Sequence, residues 1–309
     1  MGDNMPAAEM AVDEPLVRRL LAAQFPASVG LPLRREANGW DNVVYRLGPA
    51  LAVRLPRRQA GAELVLNEQR WLPVLAPALP LPVPIPVLAG HPGEGYPWPW
   101  SVVPWFPGDV AATTQPADPT ATADALGRFV AALHRPAPPH APVNTVRGCP
   151  LAQRHDAVEE RLARVGPALA PAERHTLAAA WAAGLAAPAW HGSLRWLHGD
   201  LHPANLLVDE RGRLAAVIDF GDLTAGDPAT DLAVAWMLFD DEPARTRFLV
   251  AAGQPDEATI TRARGWAVNL ALAMVAASAD NPTMATVARR TIANLTTGSE
   301  EPQVRKRLR

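Results

Sequence analysis

Asp200 and Asn205 stand five positions apart in Leu197-His198-Gly199-Asp200-Leu201-His202-Pro203-Ala204-Asn205-Leu206-Leu207, and Asp219 follows in Val217-Ile218-Asp219-Phe220-Gly221-Asp222. Phosphoryl transfer from a nucleotide needs such a set: one carboxylate to orient an acceptor hydroxyl, and further oxygen ligands to hold Mg²⁺ against the phosphates. Catalysis there is mostly positioning and charge neutralisation. A polar turn with Asp200 and Asp219 as ordinary cap residues is the competing reading. Composition alone rarely assembles both motifs in this order.

The flanking pattern says what must position these residues. Segment 33–55 is strand-like, punctuated by Asn38-Gly39-Trp40-Asp41-Asn42 and Gly48-Pro49, and predicts three antiparallel strands. Apolar Leu64, Trp71, Leu72 and Leu75 predict a helix over 60–75, ended by Pro77. The proline-rich stretch 80–86 predicts an extended connector leading to strands at 86–89 and 100–103. Beyond Pro107-Gly108 the character is helical, with Leu126, Phe129, Val130 and Leu133 on one face, alanine-rich helices over 151–165 and 172–187, and an irregular 135–150. Short apolar runs carry the motif loops, and helices resume from Asp227 to about Leu295, with Gly298 as a stop signal and 304–309 as a frayed tail. The expected organisation is α+β, with an N-terminal lobe over 1–104 and a C-terminal lobe over 105–309.

Composition sets the outer limits. The 309 residues carry a net charge of -2, with 49% hydrophobic and 19% charged residues, which argues against a nucleic-acid or anionic-membrane binder. Cys149 stands alone, so no intramolecular disulfide forms and a reducing cytoplasm fits. Asp3, Glu9, Asp13 and Glu14 precede any apolar run, the reverse of a secretory signal. The uncharged stretch 71–90 is broken by prolines, and the uncharged run 265–279 suits a buried helix better than a membrane span. No protein partner is evident.

The chain resembles the aminoglycoside phosphotransferase family, small-molecule kinases with a protein-kinase-like fold. His198-Gly199-Asp200 stands where protein kinases have His-Arg-Asp, and Asp219-Phe220-Gly221 matches their metal-binding motif. The resemblance extends to Gly226-Asp227-Pro228-Ala229-Thr230-Asp231-Leu232-Ala233, to Tyr96-Pro97-Trp98-Pro99-Trp100-Ser101 and to Arg264-Gly265-Trp266-Ala267, and so over nearly the whole chain. It implies a bilobal fold with a small antiparallel sheet and one helix in the first lobe. It also implies an adenine pocket between the lobes, Asp200 as catalytic base, Asn205 and Asp219 as Mg²⁺ ligands, and an acceptor site built by the C-terminal helices. His198 then braces the loop.

One departure stands out. Lys306 is the only lysine, so Ala52-Val53-Arg54 places an arginine where kinases grip phosphates with lysine. Arginine keeps the charge and offers a planar fork of donors. Glu68 is its best candidate partner, Glu63 the second, and a solvated cluster of Arg54, Arg57 and Arg58 is the bland alternative. Gly39 and Asn42 lie where a phosphate-covering loop belongs, although a hairpin turn explains them equally. Because Pro104 has no N–H, Val103 or Trp105 is expected to supply the adenine donor. Asp227 and Asp231 read as bracing residues at a helix start. Asp240-Asp241-Glu242, next to Pro243, reads as a helix start more than as an attractor of polycations. Trp236 and Trp266 read as core. The function implied is transfer of the γ-phosphate of ATP, or GTP, to a hydroxyl of a small molecule such as an aminoglycoside or macrolide antibiotic. The alternatives are a choline, homoserine or fructosamine kinase-like enzyme, or a nucleotide binder with little catalysis.

Overall fold

The computed structural model describes residues 7–277 and 281–297. Gly298, the tail 304–309, Asp3 and the end of the 265–279 run lie outside the described residues. Helix α1 (Glu14–Gln24) begins where Asp13 accepts the Leu16 N–H and Pro15 sits in the first turn, and it buries Leu16, Val17, Leu20 and Leu21. It was not expected from the sequence. Strands β1 (Leu33–Asn38), β2 (Asn42–Leu47) and β3 (Leu51–Pro56), helix α2 (Gln59–Leu75), and strands β4 (Leu88–Gly90) and β5 (Trp100–Pro104) follow. The five strands form one antiparallel sheet in the order β1-β2-β3-β5-β4, and the chain leaves it at Pro104.

Alternation divides the sheet's faces. Val43, Tyr45, Leu47, Val53, Leu55 and Val102 pack with α1 into one apolar cluster. Val44 and Arg54 are cross-strand partners, so their side chains share the opposite face. Helix α2 ends as expected, in a single 3₁₀ turn (Ala76–Ala78) around Pro77, with Pro73 accommodated in its last turn.

The second part of the chain opens with β6 (Asp109–Val110) and α3 (Pro119–Leu133), capped by Asp118. The remaining elements are α4 (His155–Val165), α5 (Pro171–Ala186), β7 (Arg195–Leu197), β8 (Leu206–Val208), β9 (Leu214–Val217), β10 (Thr224–Gly226), α6 (Ala229–Leu232), α7 (Val234–Leu238), α8 (Glu242–Ala251), α9 (Glu257–Ala277) and α10 (Pro282–Thr297). Helix α9 runs through the middle and packs against α4, α5, α6 and α10. Trp236 and Trp266 are buried there, as core. The irregular segment 135–150 lies along β7 and β10: the Ala137 N–H donates to Leu194, the Ala225 N–H to Pro142 and the Asp227 N–H to Gly148. No described helix is long and apolar enough to cross a membrane.

Candidate active site

The loop after β7 is fixed from below. Asp231, fully buried, accepts the His198 N–H at 2.8 Å and the Gly199 N–H at 2.9 Å, and His134 Nε2 donates to it at 3.1 Å. His198 donates from Nε2 to the Ile218 carbonyl at 3.0 Å and accepts the Asp200 N–H at Nδ1, which fixes its tautomer. Its ring also packs at a tilt against Phe220, so it braces the loop. Gly199 has φ 85°, and a Cβ there would collide with the Asp222 carbonyl oxygen. Asp227 is likewise structural, held by Arg262 at 2.7 Å with both side chains buried.

Asp200, held out by this loop, is bracketed. Arg147 Nη2 lies 3.0 Å from Oδ1 and His202 Nε2 3.2 Å from Oδ2. Burial alone would raise its pKa, but His202 and Arg147 outweigh it and hold the carboxyl well below the usual carboxylate range. Asn205 donates from Nδ2 to the Asp200 backbone carbonyl at 2.9 Å, and among the described residues its Oδ1 takes no hydrogen bond. Asp219, at φ 63° and with a side chain 55% exposed, accepts from Arg54 at Oδ1, and among the described residues its Oδ2 takes no hydrogen bond. Two uncommitted hard oxygens suit Mg²⁺. Among the described residues no three His, Cys, Asp or Glu side chains gather into a metal cage, so such an ion would complete its shell with water and phosphate, as Mg²⁺ does.

Arg54 joins the two halves of the molecule. Nη1 donates to both oxygens of Glu68, at 2.8 and 2.9 Å, and Nη2 to Asp219 Oδ1 at 2.8 Å. Burial opposes the Arg54 charge, but the two carboxylates prevail and raise its pKa above the ordinary value. Glu68 is the partner and Glu63 is exposed. Arg57 is buried against the Gly39 carbonyl and Arg58 pairs with Asp41, so these residues tie down the β1–β2 turn instead of forming a solvated cluster. Gly39 closes that turn by donating its N–H to the Asn42 carbonyl at 2.8 Å, ordinary hairpin geometry, while the buried Asn42 Oδ1 has no partner.

The expected adenine donors need correction. The Trp105 N–H donates to the Ala50 carbonyl at 2.8 Å, and Arg46 covers its ring at 4.6 Å. Val103 pairs with Ala52, two residues along the same ladder and therefore in the same hydrogen-bonding phase, so its N–H also points at β3. The Pro104 carbonyl faces the other way, and the half-buried Phe106 N–H has no partner among the described residues.

Arg147 escaped sequence reading. Asn144 positions it: Oδ1 accepts the Val146 and Arg147 N–H groups while Nδ2 donates to Asp222 Oδ1 at 2.7 Å. Gly148, at φ 67°, then turns the chain against Leu197 and Gly226. An asparagine three residues before an arginine was the available signal, and it is a weak one. The acidic run 240–242 is absorbed by the fold: Asp241 caps α8 and Asp240 pairs with Arg290.

The profile of a family described as "phosphotransferase enzyme family" matches residues 33–266. The solved GDP complex of wild-type aminoglycoside 2'-phosphotransferase-IIIa superposes with a TM-score of 0.69 over 93% of this chain and 100% of that one, at 19% identity, a likeness of fold. Macrolide 2'-phosphotransferase MphH from Brachybacterium faecium, as the apoenzyme, gives 0.58 at 28% identity over 94% of this chain and 100% of that one. The uncharacterized protein YcbJ of Bacillus subtilis (strain 168) is 34% identical over 53 residues. That match spans 17% of either chain.

Proposed function

The chain belongs to the phosphotransferase enzyme family, and on that premise we propose that it transfers the γ-phosphoryl group of ATP or GTP to a hydroxyl of a small molecule in the cytoplasm. The observation that carries this is Arg54, bound at once to Glu68 and to Asp219, which sets a phosphate-gripping cation beside a metal-ligand candidate across the cleft. The lobes divide near residue 104, and the purine lies against the Pro104 carbonyl and the Phe106 N–H. Asn205 Oδ1 and Asp219 Oδ2 are the atoms to hold Mg²⁺, which when bound neutralises charge on the phosphates. Asn42 and Gly39 close over the phosphates from the β1–β2 turn.

Asp200 orients the acceptor. Its carboxylate accepts the hydroxyl hydrogen, the hydroxyl oxygen bonds to Pγ, and the bond from Pγ to the β,γ-bridging oxygen breaks. The proton goes to Asp200 and the electron pair leaves with the nucleoside diphosphate. A carboxylate held so far below the usual range is a weak base, so its contribution is alignment first and proton uptake late, in keeping with a loose transition state. The two solved structures named above are an aminoglycoside and a macrolide phosphotransferase, and an antibiotic hydroxyl is one acceptor compatible with the site.

The test is incubation with MgATP or MgGTP and a panel of aminoglycosides, macrolides and small amino, sugar and acid alcohols, read by mass against Asp200→Asn. A phosphate adduct that disappears in the variant is the expected result. Wild-type activity retained in Asp200→Asn, or failure to bind either nucleotide, overturns the reading.

A further inference from the structure

The loop that presents Asp200 carries a second histidine, and packing alone does not account for it. Pro203 disfavours helical backbone at the residue before it, and His202 is extended, at φ -150° and ψ 165°, just ahead of the 3₁₀ turn Pro203–Asn205. That turn closes where the Asn205 N–H donates to the His202 carbonyl at 2.8 Å, which ties His202 to the metal-ligand candidate. The His202 side chain is only 3% exposed. A carboxylate accepts and cannot donate, so the 3.2 Å contact with Asp200 Oδ2 puts the ring hydrogen on Nε2. Asn205 Nδ2 lies 3.5 Å from the same nitrogen, but it is itself a donor and already serves the Asp200 carbonyl at 2.9 Å. Among the described residues the buried Nδ1 of His202 has no partner.

An orphaned ring nitrogen in a dry site weighs against folding, and an apolar side chain would fill the space without that penalty. What the histidine adds is the one bond that its ring makes. Two contacts fix the plane of the Asp200 carboxylate: Arg147 at Oδ1, from a side chain 20% exposed, and His202 at Oδ2, from the interior. Oδ2 therefore faces the protein, and Oδ1 lies on the open side. We propose that His202 is the positioning residue of Asp200: its Nε2–H locks Oδ2, so that the acceptor hydroxyl donates to Oδ1, beside Arg147. The inference rests on the phosphotransfer reading and adds a residue to it. A reacting group misplaced by about 1 Å can cost about a hundredfold in rate, so a residue that touches neither substrate nor metal can govern turnover.

Two measurements on the full-length protein test it. In protein labelled with ring-¹⁵N histidine, ¹H–¹⁵N correlation spectra of wild type and His202→Gln assign the His202 ring. The expected tautomer is Nε2–H, with a protected Nε2–H resonance that Asp200→Ala abolishes. An Nδ1–H tautomer, or a His202 signal that Asp200→Ala leaves unchanged, overturns the proposal. The second measurement is MgATP turnover with water as the acceptor. A glutamine amide reaches the place of Nε2, an asparagine amide stops near Nδ1, and phenylalanine fills the space with no donor. His202→Gln should keep kcat within about threefold of wild type, while His202→Asn and His202→Phe lose about tenfold or more, with KM for MgATP and half-saturating Mg²⁺ unchanged. Circular dichroism reports folding. Equal losses in all three variants, or His202→Phe as active as wild type, overturns the proposal. Turnover that does not depend on Asp200 removes the phosphotransfer reading itself, whereas Asp200-dependent turnover that ignores His202 removes this inference alone.

Discussion

Arg54 Nη2 and Asp219 Oδ1 stand 2.8 Å apart, which binds the cation of the five-stranded sheet to the acid that follows β9. Arg54→Met leaves Glu68 buried and unpaired, and removing one partner of a buried pair costs about 3 kcal/mol or more. Arg54→Lys keeps the charge but cannot fork between Glu68 and Asp219. Urea unfolding is expected to show the larger loss in Arg54→Met, while both variants lose at least about tenfold in nucleotide affinity. Equal stability of Arg54→Met and wild type would show that the pair does not hold the cleft.

Asp231 accepts two consecutive backbone N–H groups from the Asp200 loop and a third hydrogen bond from His134. Asp231→Ala strands those donors in a dry site, and the expected destabilisation is about 3 kcal/mol. Asp231→Asn retains one carbonyl acceptor and should lose less. Asp231→Leu, which fills the space but accepts nothing, checks the assignment by urea unfolding: it should lose about as much as alanine, and a leucine variant as stable as wild type would show a merely space-filling Asp231.

These residues also show what could be read in advance. Asp200, Asn205 and Asp219 were legible because their chemistry lies in short contiguous motifs with fixed spacing, and Glu68 because helix and strand patterns placed it near Arg54. The Arg54–Asp219 contact joins residues 165 positions apart and exists only once the halves close. Arg147 lies on an irregular proline-rich path where no periodicity reports direction. Trp105 failed for a different reason: which amides of β5 face β3 depends on the ladder's phase, which Pro104 alone does not reveal. Helix α1 was legible in Asp13, Pro15 and the spacing of Leu16, Leu20 and Leu21, but the acidic start was read only as evidence against export.

The phase of that ladder separates two neighbouring positions. Phe106→Pro removes an N–H with no partner among the described residues and should weaken ATP or GTP binding about fivefold, the scale of one lost hydrogen bond of about 1 kcal/mol, while unfolding is little altered. Trp105→Pro instead deletes the bond to Ala50 and should lower stability by about 1 kcal/mol. Nucleotide titration and urea unfolding on both variants decide it, and the reverse pattern would return the donor role to Trp105.

Asp240 gives the acid dependence a sign. Arg290 Nε reaches Oδ1 at 2.6 Å and Nη2 reaches Oδ2 at 2.9 Å, and Asn294 adds a bond at 3.3 Å. Burial would raise the Asp240 pKa, but Arg290 outweighs it and the pKa falls below 3.8. The unfolded chain therefore binds the proton more readily than the folded one. The stabilisation is present above the unfolded value and is lost as pH falls through the folded value. With the Asp240 side chain 54% exposed, solvent screening limits the effect to about 1 kcal/mol or less. Wild type should thus exceed Asp240→Asn in urea midpoint at about pH 6, and the gap should narrow as pH falls below about 4. Because this carboxylate is committed to Arg290, Asp240→Asn should leave acceptor affinity unchanged. A gap that does not narrow in acid would show that the ion pair is not what Asp240 contributes, and a loss of acceptor affinity would return Asp240 to the acceptor site.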